Sequence, residues 1–189
     1  MNVRASVHTD TAVQNPVAAL NIDSGKLERY LRKECPSLFQ SNGVNSEVKV
    51  YQFTHGQSNP TYSIQIGGRR LVLRKQPPGK LLRRAHQVTR EARLIQMLSQ
   101  HSAVPVPRVH AICEDQSILG SDFYVMDHVS GVIYTDPSLP TLLEDDRRKV
   151  YEALAKVLAA IHIVVIDDSF MKRGVFKLFP GRFAILSLI

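Results

Sequence analysis

A run of alternating apolar and polar residues, interrupted by two adjacent glycines, restricts the fold of this chain more than any other feature. Residues 62–66 alternate in this way, and residues 69–75 do so again after the glycines. A period of two is typical of half-buried β-strands. Gly67 and Gly68 suit a two-residue turn, because only glycine takes positive φ at both positions without strain. The sequence therefore predicts a β-hairpin.

The patterns around this hairpin alternate between strand and helix periods. Strands are bounded by proline or glycine, whereas the helices carry apolar residues at intervals of three and four. In chain order the predicted elements are a helix over 24–33 with Ser24 as its N-cap, strands over 48–53, 62–66 and 69–75, a helix over 85–99, strands over 109–113 and 123–129 joined by a turn around 117–120, and a helix over 144–162.

This order predicts an α+β fold. Three strands, one helix and two further strands are the layout of a protein-kinase-like small lobe, with a five-stranded antiparallel sheet and one helix. A linker and the first helix of an incomplete large lobe would follow. The predicted units are an N-terminal arm with a short helix (1–46), the small lobe (47–129), the linker and large-lobe helix (130–163), and a divergent C-terminal tail (164–189).

Charge and composition narrow the classes of partner. Between Arg69 and Arg93, nine basic residues stand against one acidic residue. Such a field attracts a nucleotide, a CoA-type molecule or a nucleic-acid backbone, and a solvated surface with the same charges is an equal alternative. That stretch contains no Phe, Tyr or Trp on which bases could stack, which disfavours nucleic acid. No apolar run reaches the roughly 18 residues of a membrane span. Cys35 and Cys113 are predicted to be reduced thiols.

The loop between the first two strands is a candidate for covering nucleotide phosphates. It contains Gly56, Ser58 and Asn59, and a glycine with small polar neighbours lets backbone N–H groups approach phosphate oxygens. The loop has neither the complete G-x-G-x-x-G pattern nor the lysine of a Walker P-loop. An ordinary hairpin loop is the alternative.

The third strand ends in two cations, Arg74 and Lys75. A cation here could contact nucleotide phosphates if a carboxylate from the next helix held it in place. Glu91 falls on the apolar stripe of that helix, where a lone carboxylate is costly unless a cation pairs with it. We predict an Arg74–Glu91 pair, with Lys75 as the second choice and a local Glu91–Arg90 pair as the alternative.

The end of the fifth strand is a candidate for binding a nucleotide base. Backbone groups of His128 and Val129 would contact an adenine, with Met126 behind them, just before Ser130 and Gly131 break the strand. A plain β-strand edge would have the same sequence pattern.

Several short segments of the sequence, in the same order along the chain, resemble those of a known family. They are His55–Tyr62, Leu71–Lys75, Pro77–Leu82, Val104–Pro107 and Phe123–Met126. They resemble the aminoglycoside phosphotransferase-like domain at the front of acyl-CoA dehydrogenase family members ten and eleven, over about residues 48–162.

The resemblance implies a function and a partner for the basic pair. Arg74 aligns with the family's phosphate-contacting lysine, and Glu91 aligns with the ion-pair partner of that lysine. It implies ATP or GTP with Mg²⁺ in the complete domain, and a hydroxylated small substrate such as a hydroxyacyl-CoA. It also implies a mitochondrial or peroxisomal location.

The same resemblance implies residues that this sequence lacks. The family's catalytic loop, His-Gly-Asp with a nearby Asn, and a later Asp for magnesium should follow His162, but the remaining 27 residues contain no such series. We therefore expect no catalytic or metal-binding residue in this chain, and no phosphoryl transfer by it alone. The alternatives are a basic nucleic-acid-binding module and a regulatory fragment that self-associates or binds a full-length relative through its last helix.

Overall fold

The chain is described here from a computed structural model, covering residues 22–40, 47–53, 59–77, 87–132, 134 and 136–164. Four helices and five strands lie within these residues. They are α1 (Ser24–Glu34), β1 (Val48–Gln52), β2 (Thr61–Ile66), β3 (Arg69–Lys75), α2 (Val88–His101), β4 (Val109–Cys113), α3 (Gln116–Leu119), β5 (Phe123–Asp127) and α4 (Glu144–Ile163), with a 3-10 turn at Pro36–Leu38.

The five strands form one antiparallel sheet in the order β1-β2-β3-β5-β4. The turn between β2 and β3 has φ of 51° at Gly67 and 85° at Gly68, as the hairpin prediction requires. In the register between β3 and β5, Arg74 lies directly opposite Tyr124. The predicted α+β fold with a kinase-like small lobe is confirmed.

We call the face of the sheet that contacts α1 the outer face. Leu27 and Leu31 of α1 are completely buried against apolar side chains from the strands. Tyr30 adds an edge-to-face contact with Phe123, at 5.4 Å between ring centroids. The largest apolar cluster of the described residues therefore includes a helix that precedes the sheet in the chain.

The opposite side is the inner face, and α2 packs on it. Val88 and Ala92 of α2 form a smaller cluster with Val109 and Tyr124 of the sheet. Because β-strand side chains alternate, the inner face of β3 carries Val72 and Arg74, while Leu71 and Leu73 belong to the outer cluster.

The helix α4 has a different environment from the other long helices. None of its residues is buried, and Tyr151 and Leu154 are exposed near its centre. Its C-terminal end alone joins an apolar cluster, where Ala160 and Ile161 pack near the end of α2. Among the described residues, no helix combines the length and the apolar character needed to cross a membrane.

Several local predictions differ from the structure. The N-cap of α1 is Asp23 rather than Ser24, because the Asp23 carboxylate accepts the Lys26 N–H at 2.9 Å. The turn around residues 117–120 is the short helix α3, which ends at Gly120 in a left-handed conformation. The strand predicted over 123–129 ends at Asp127, where its pairing with β3 stops.

The second predicted helix also starts later than expected. It begins at Val88, and residues 85 and 86 lie outside the described part of the chain. Its apolar stripe is confirmed, since Val88, Ala92 and Leu98 are buried.

Candidate functional site

Arg74 and Glu91 meet on the inner face. Arg74 Nη1 lies 2.5 Å from Glu91 Oε1, with 30% and 14% of the two side chains exposed. A charge-assisted contact in a partly water-excluded position is stronger than one at a fully exposed surface. The predicted Arg74–Glu91 ion pair is confirmed.

Local structure explains why Arg74 rather than Lys75 is the partner. Arg74 shares the inner face with Val72, and strand alternation directs Lys75 to the other side. Burial lowers the pKa of Lys75. Glu91 lies in the first turn of α2, where the helix dipole favours a carboxylate.

A third side chain, Tyr124, completes this cluster, and sequence reasoning missed it. The Tyr124 hydroxyl donates a hydrogen bond to Glu91 Oε1 at 2.9 Å, so one oxygen accepts from both Tyr124 and Arg74. Tyr124 is fully buried, and this burial, with the nearby Glu91 carboxylate as the second cause, raises the pKa of Tyr124. Only the pairing of β5 with β3 places Tyr124 beside Arg74, and the local periodicity of the sequence does not show which strands pair.

The residues predicted to contact a base lie farther along β5. Met126 shares the inner face with Tyr124 and packs against the α2 cluster. The His128 N–H donates to the Arg70 carbonyl at 3.4 Å, and Val129 is exposed. The structure thus places Met126 near the end of β5, with His128 and Val129 just beyond that end.

The predicted phosphate-covering loop is only partly described. Gly56 and Ser58 lie outside the described residues. The Asn59 carbonyl accepts a hydrogen bond from the Thr61 hydroxyl at 3.0 Å, and Thr61 lies opposite Arg74 in the β2–β3 register. Asn59 therefore leads into the strand end next to Arg74.

The basic stretch between residues 69 and 93 is partly neutralised within the fold. Arg74 pairs with Glu91, and Arg93 Nη2 contacts Glu114 Oε1 at 2.6 Å. Both pairs reduce the net positive charge that this stretch presents to a polyanion.

A cleft of about 730 Å³ lies on the other side of the sheet, where α1 meets β4 and α3. Cations from α1 and acids near the end of β4 line it together, including Lys26, Arg29, Glu114 and Asp115. None of the residues predicted to bind a nucleotide is among its lining residues. This cleft and the inner-face cluster are separate.

Acidic and metal-ligating side chains are scattered through the part of the chain that the structure describes. Within those residues, no three His, Cys, Asp or Glu side chains come together in a way that could hold a metal ion.

Comparison with known proteins gives the chain a family. The sequence profile described as "Phosphotransferase enzyme family" matches residues 49–184. An Arabidopsis thaliana protein named "Probable acyl-CoA dehydrogenase IBR3" is 46% identical over 137 residues, which cover 68% of this chain and 17% of that protein. Acyl-CoA dehydrogenase family member 10 of Mus musculus is 44% identical over 157 residues, which cover 81% of this chain and 14% of that protein.

A solved structure agrees with these sequence relatives. The crystal structure of a candidate aminoglycoside phosphotransferase from Ralstonia eutropha superposes with a TM-score of 0.62 at 33% identity, over 80% of this chain and 41% of the other. The chain spans less than a fifth of the length of the two dehydrogenase relatives. The profile match over most of the chain and the shared kinase-like fold show that this protein belongs to the phosphotransferase enzyme family.

Proposed function

We propose that this chain is the nucleotide-binding lobe of a small-molecule phosphotransferase and that Arg74 contacts the phosphates of ATP or GTP. The Arg74–Glu91 pair on the inner face of the sheet is the observation that carries the proposal. In kinase-like folds a cation on the third strand, held by a helix carboxylate, contacts these phosphates.

The geometry of Arg74 supports this role. Glu91 engages one nitrogen, Nη1, and 30% of the Arg74 side chain remains exposed. A guanidinium offers five N–H groups in a planar fork, so a single carboxylate contact leaves donors for a second anion. A phosphate group has the charge and the acceptors to use them.

The base would lie at the other end of β5. His128 is four residues beyond Tyr124, which corresponds to about 13 Å along a strand. An adenine or guanine against the backbone of His128 and Val129, with Met126 behind it, would therefore direct its phosphates back toward Arg74. The loop with Gly56, Ser58 and Asn59 would cover those phosphates.

The magnesium ion that accompanies nucleotides in this chemistry neutralises charge on the phosphate oxygens. The described residues provide no set of ligands for such an ion, so we assign none of them to it.

The substrate is proposed from the named relatives. Two of them are acyl-CoA dehydrogenases by name. We propose that the complete domain phosphorylates a hydroxylated small molecule such as a hydroxyacyl-CoA, ahead of a dehydrogenase module in the same polypeptide.

Nucleotide binding is tested by replacing Arg74. We expect Arg74→Met to weaken ATP binding by about tenfold or more, because it removes the cation while keeping a long side chain. Chemical-shift titration of the labelled chain with ATP measures the dissociation constant. Arg93→Met is the matched control, since Arg93 also pairs with a glutamate but lies on the far side of α2. Equal affinities of the two variants would contradict the proposal.

Catalysis is tested separately. Because the His-Gly-Asp series is not among the 189 residues, we expect no phosphorylated product from this chain with ATP, Mg²⁺ and a short hydroxyacyl-CoA. Turnover that disappears in Arg74→Met would show that the chain itself carries the catalytic groups.

A second candidate function is association through α4. Leu154 is 46% exposed and Tyr151 45% exposed on a helix without a buried residue. Exposed apolar side chains on one helix favour contact with another protein surface. We propose self-association or binding of a longer relative, measured as concentration-dependent sedimentation that Leu154→Glu abolishes. A constant sedimentation coefficient with an added longer relative would exclude both.

A further inference from the structure

We propose that Tyr124 is a positioning residue that orients Arg74 toward the nucleotide by holding the Glu91 carboxylate. This inference rests on the proposed nucleotide binding, and it adds a residue that sequence reasoning did not identify. It concerns the arrangement of Arg74 and assigns no contact between Tyr124 and the nucleotide.

Two donors meet at a single carboxylate oxygen. Tyr124 OH lies 2.9 Å from Glu91 Oε1, and Arg74 Nη1 lies 2.5 Å from the same atom. A carboxylate that accepts from one donor can rotate about its last side-chain bond, because that torsion has a broad energy minimum. A second donor from another direction restricts the rotation, and the guanidinium bound to the same oxygen is restricted with it.

Each of the three side chains is anchored in a different element. Arg74 and Tyr124 lie opposite each other on β3 and β5, and Glu91 comes from α2. The Tyr124 ring is fully buried in the cluster with Val88 and Ala92. The ring therefore has little freedom to move, so its hydroxyl oxygen stays in place and restricts the position of the Glu91 carboxylate.

The hydroxyl is not needed to complete the apolar packing. A phenylalanine would fill the same space between α2 and the sheet, whereas the tyrosine places a donor beside the pair's carboxylate. On the outer face, Tyr30 makes the ordinary contact of such a group: its hydroxyl donates to the Ile112 carbonyl at 3.2 Å. Tyr124 differs from Tyr30 because its acceptor is the Glu91 carboxylate rather than a backbone carbonyl, and this acceptor gives Tyr124 a role in the site.

Tyr124→Phe tests the inference, with Tyr30→Phe as the matched control. Each variant removes one hydroxyl and one hydrogen bond from a tyrosine that packs on the same sheet. We expect Tyr124→Phe to raise the dissociation constant for ATP by about threefold to tenfold, the fold-change that corresponds to the typical net contribution of one hydrogen bond. The dissociation constant for adenosine, which has no phosphate, should stay within about twofold.

The split between ATP and adenosine separates positioning from a structural effect. A general loosening of the fold would weaken both ligands in Tyr124→Phe, and that result would overturn the inference. An ATP affinity equal to that of Tyr30→Phe would overturn it as well, while leaving nucleotide binding at Arg74 intact.

A measurement on the protein without ligand separates the positioning role of Tyr124 from the proposed nucleotide binding. If the wild-type chain does not respond to ATP, the proposed function is wrong. Hydrogen exchange of the Arg74 Nε–H, which is buried, then reports the positioning directly. Faster exchange in Tyr124→Phe than in Tyr30→Phe supports the role of Tyr124, and equal exchange overturns it.

Discussion

The two faces of the sheet differ in the side chains through which they contact the helices. The outer face meets α1 mainly through apolar side chains, with Leu27 and Leu31 fully buried. The inner face meets α2 through a smaller apolar cluster, at whose edge Arg74, Glu91 and Tyr124 join. Both faces belong to the same five strands. The difference indicates that the outer face supplies most of the stability and the inner face presents the chemistry.

A partly buried ion pair such as Arg74–Glu91 is not a general requirement for stability. Replacing a partly buried ion pair with apolar residues of similar volume is often neutral or stabilising, whereas removing one partner destabilises the fold. The Arg74–Glu91 pair between the helix and the sheet is therefore in keeping with the phosphate contact that we propose for Arg74.

The largest expected effect is on the outer face. Leu31→Ala should lower the free energy of unfolding by about 3 kcal/mol, because it leaves a cavity beneath α1. Urea denaturation followed by circular dichroism measures the change. Leu154→Ala on α4 is the control and should change stability by less than about 0.5 kcal/mol, since Leu154 is exposed. Similar losses of unfolding free energy in both variants would contradict the inference that the outer face supplies most of the stability.

An intermediate effect is expected on the inner face. Glu91→Gln should cost about 2 kcal/mol of unfolding free energy, because Arg74 keeps its charge in a partly buried position without a charged partner. The matched variant Glu114→Gln removes a pair whose side chains are 41% and 54% exposed. It should cost at most about 0.5 kcal/mol. Equal costs in urea denaturation would show that burial does not distinguish the pairs.

The smallest effect is an alkaline loss of stability. Burial and the nearby Glu91 carboxylate raise the pKa of Tyr124, so the folded state holds this proton more tightly than the unfolded state. Its stabilising contribution is complete below about pH 10 and declines as the pH rises further. The stability difference between the wild type and Tyr124→Phe should therefore shrink as the pH rises above about 10. A difference that is constant with pH would contradict the prediction.

Local patterns were sufficient for much of the fold. The hairpin of β2 and β3 was predicted because alternation and two glycines are properties of neighbouring residues. Glu91 could be paired with Arg74 because the cost of a carboxylate on an apolar helix stripe can be read from spacing alone.

Longer-range contacts were beyond such reasoning. Tyr124 was missed because β5 pairs with β3 across an intervening helix and strand, and periodicity does not specify which strands are neighbours. Asp23 was missed as the N-cap because Ser24, next to it, is also a favourable capping residue. The packing of α1 on the sheet was also not predicted, because no pattern within α1 or within the strands shows that they contact each other.

That packing has a practical consequence for anyone who excises the homologous portion. The family match begins at residue 49, inside β1, but the helix that closes the sheet's apolar side ends at Glu34. A fragment cut at the start of the match would offer Ile64 and Leu71 to water and to other copies of itself. Because the profile match leaves out α1, expression boundaries should be drawn to include that helix.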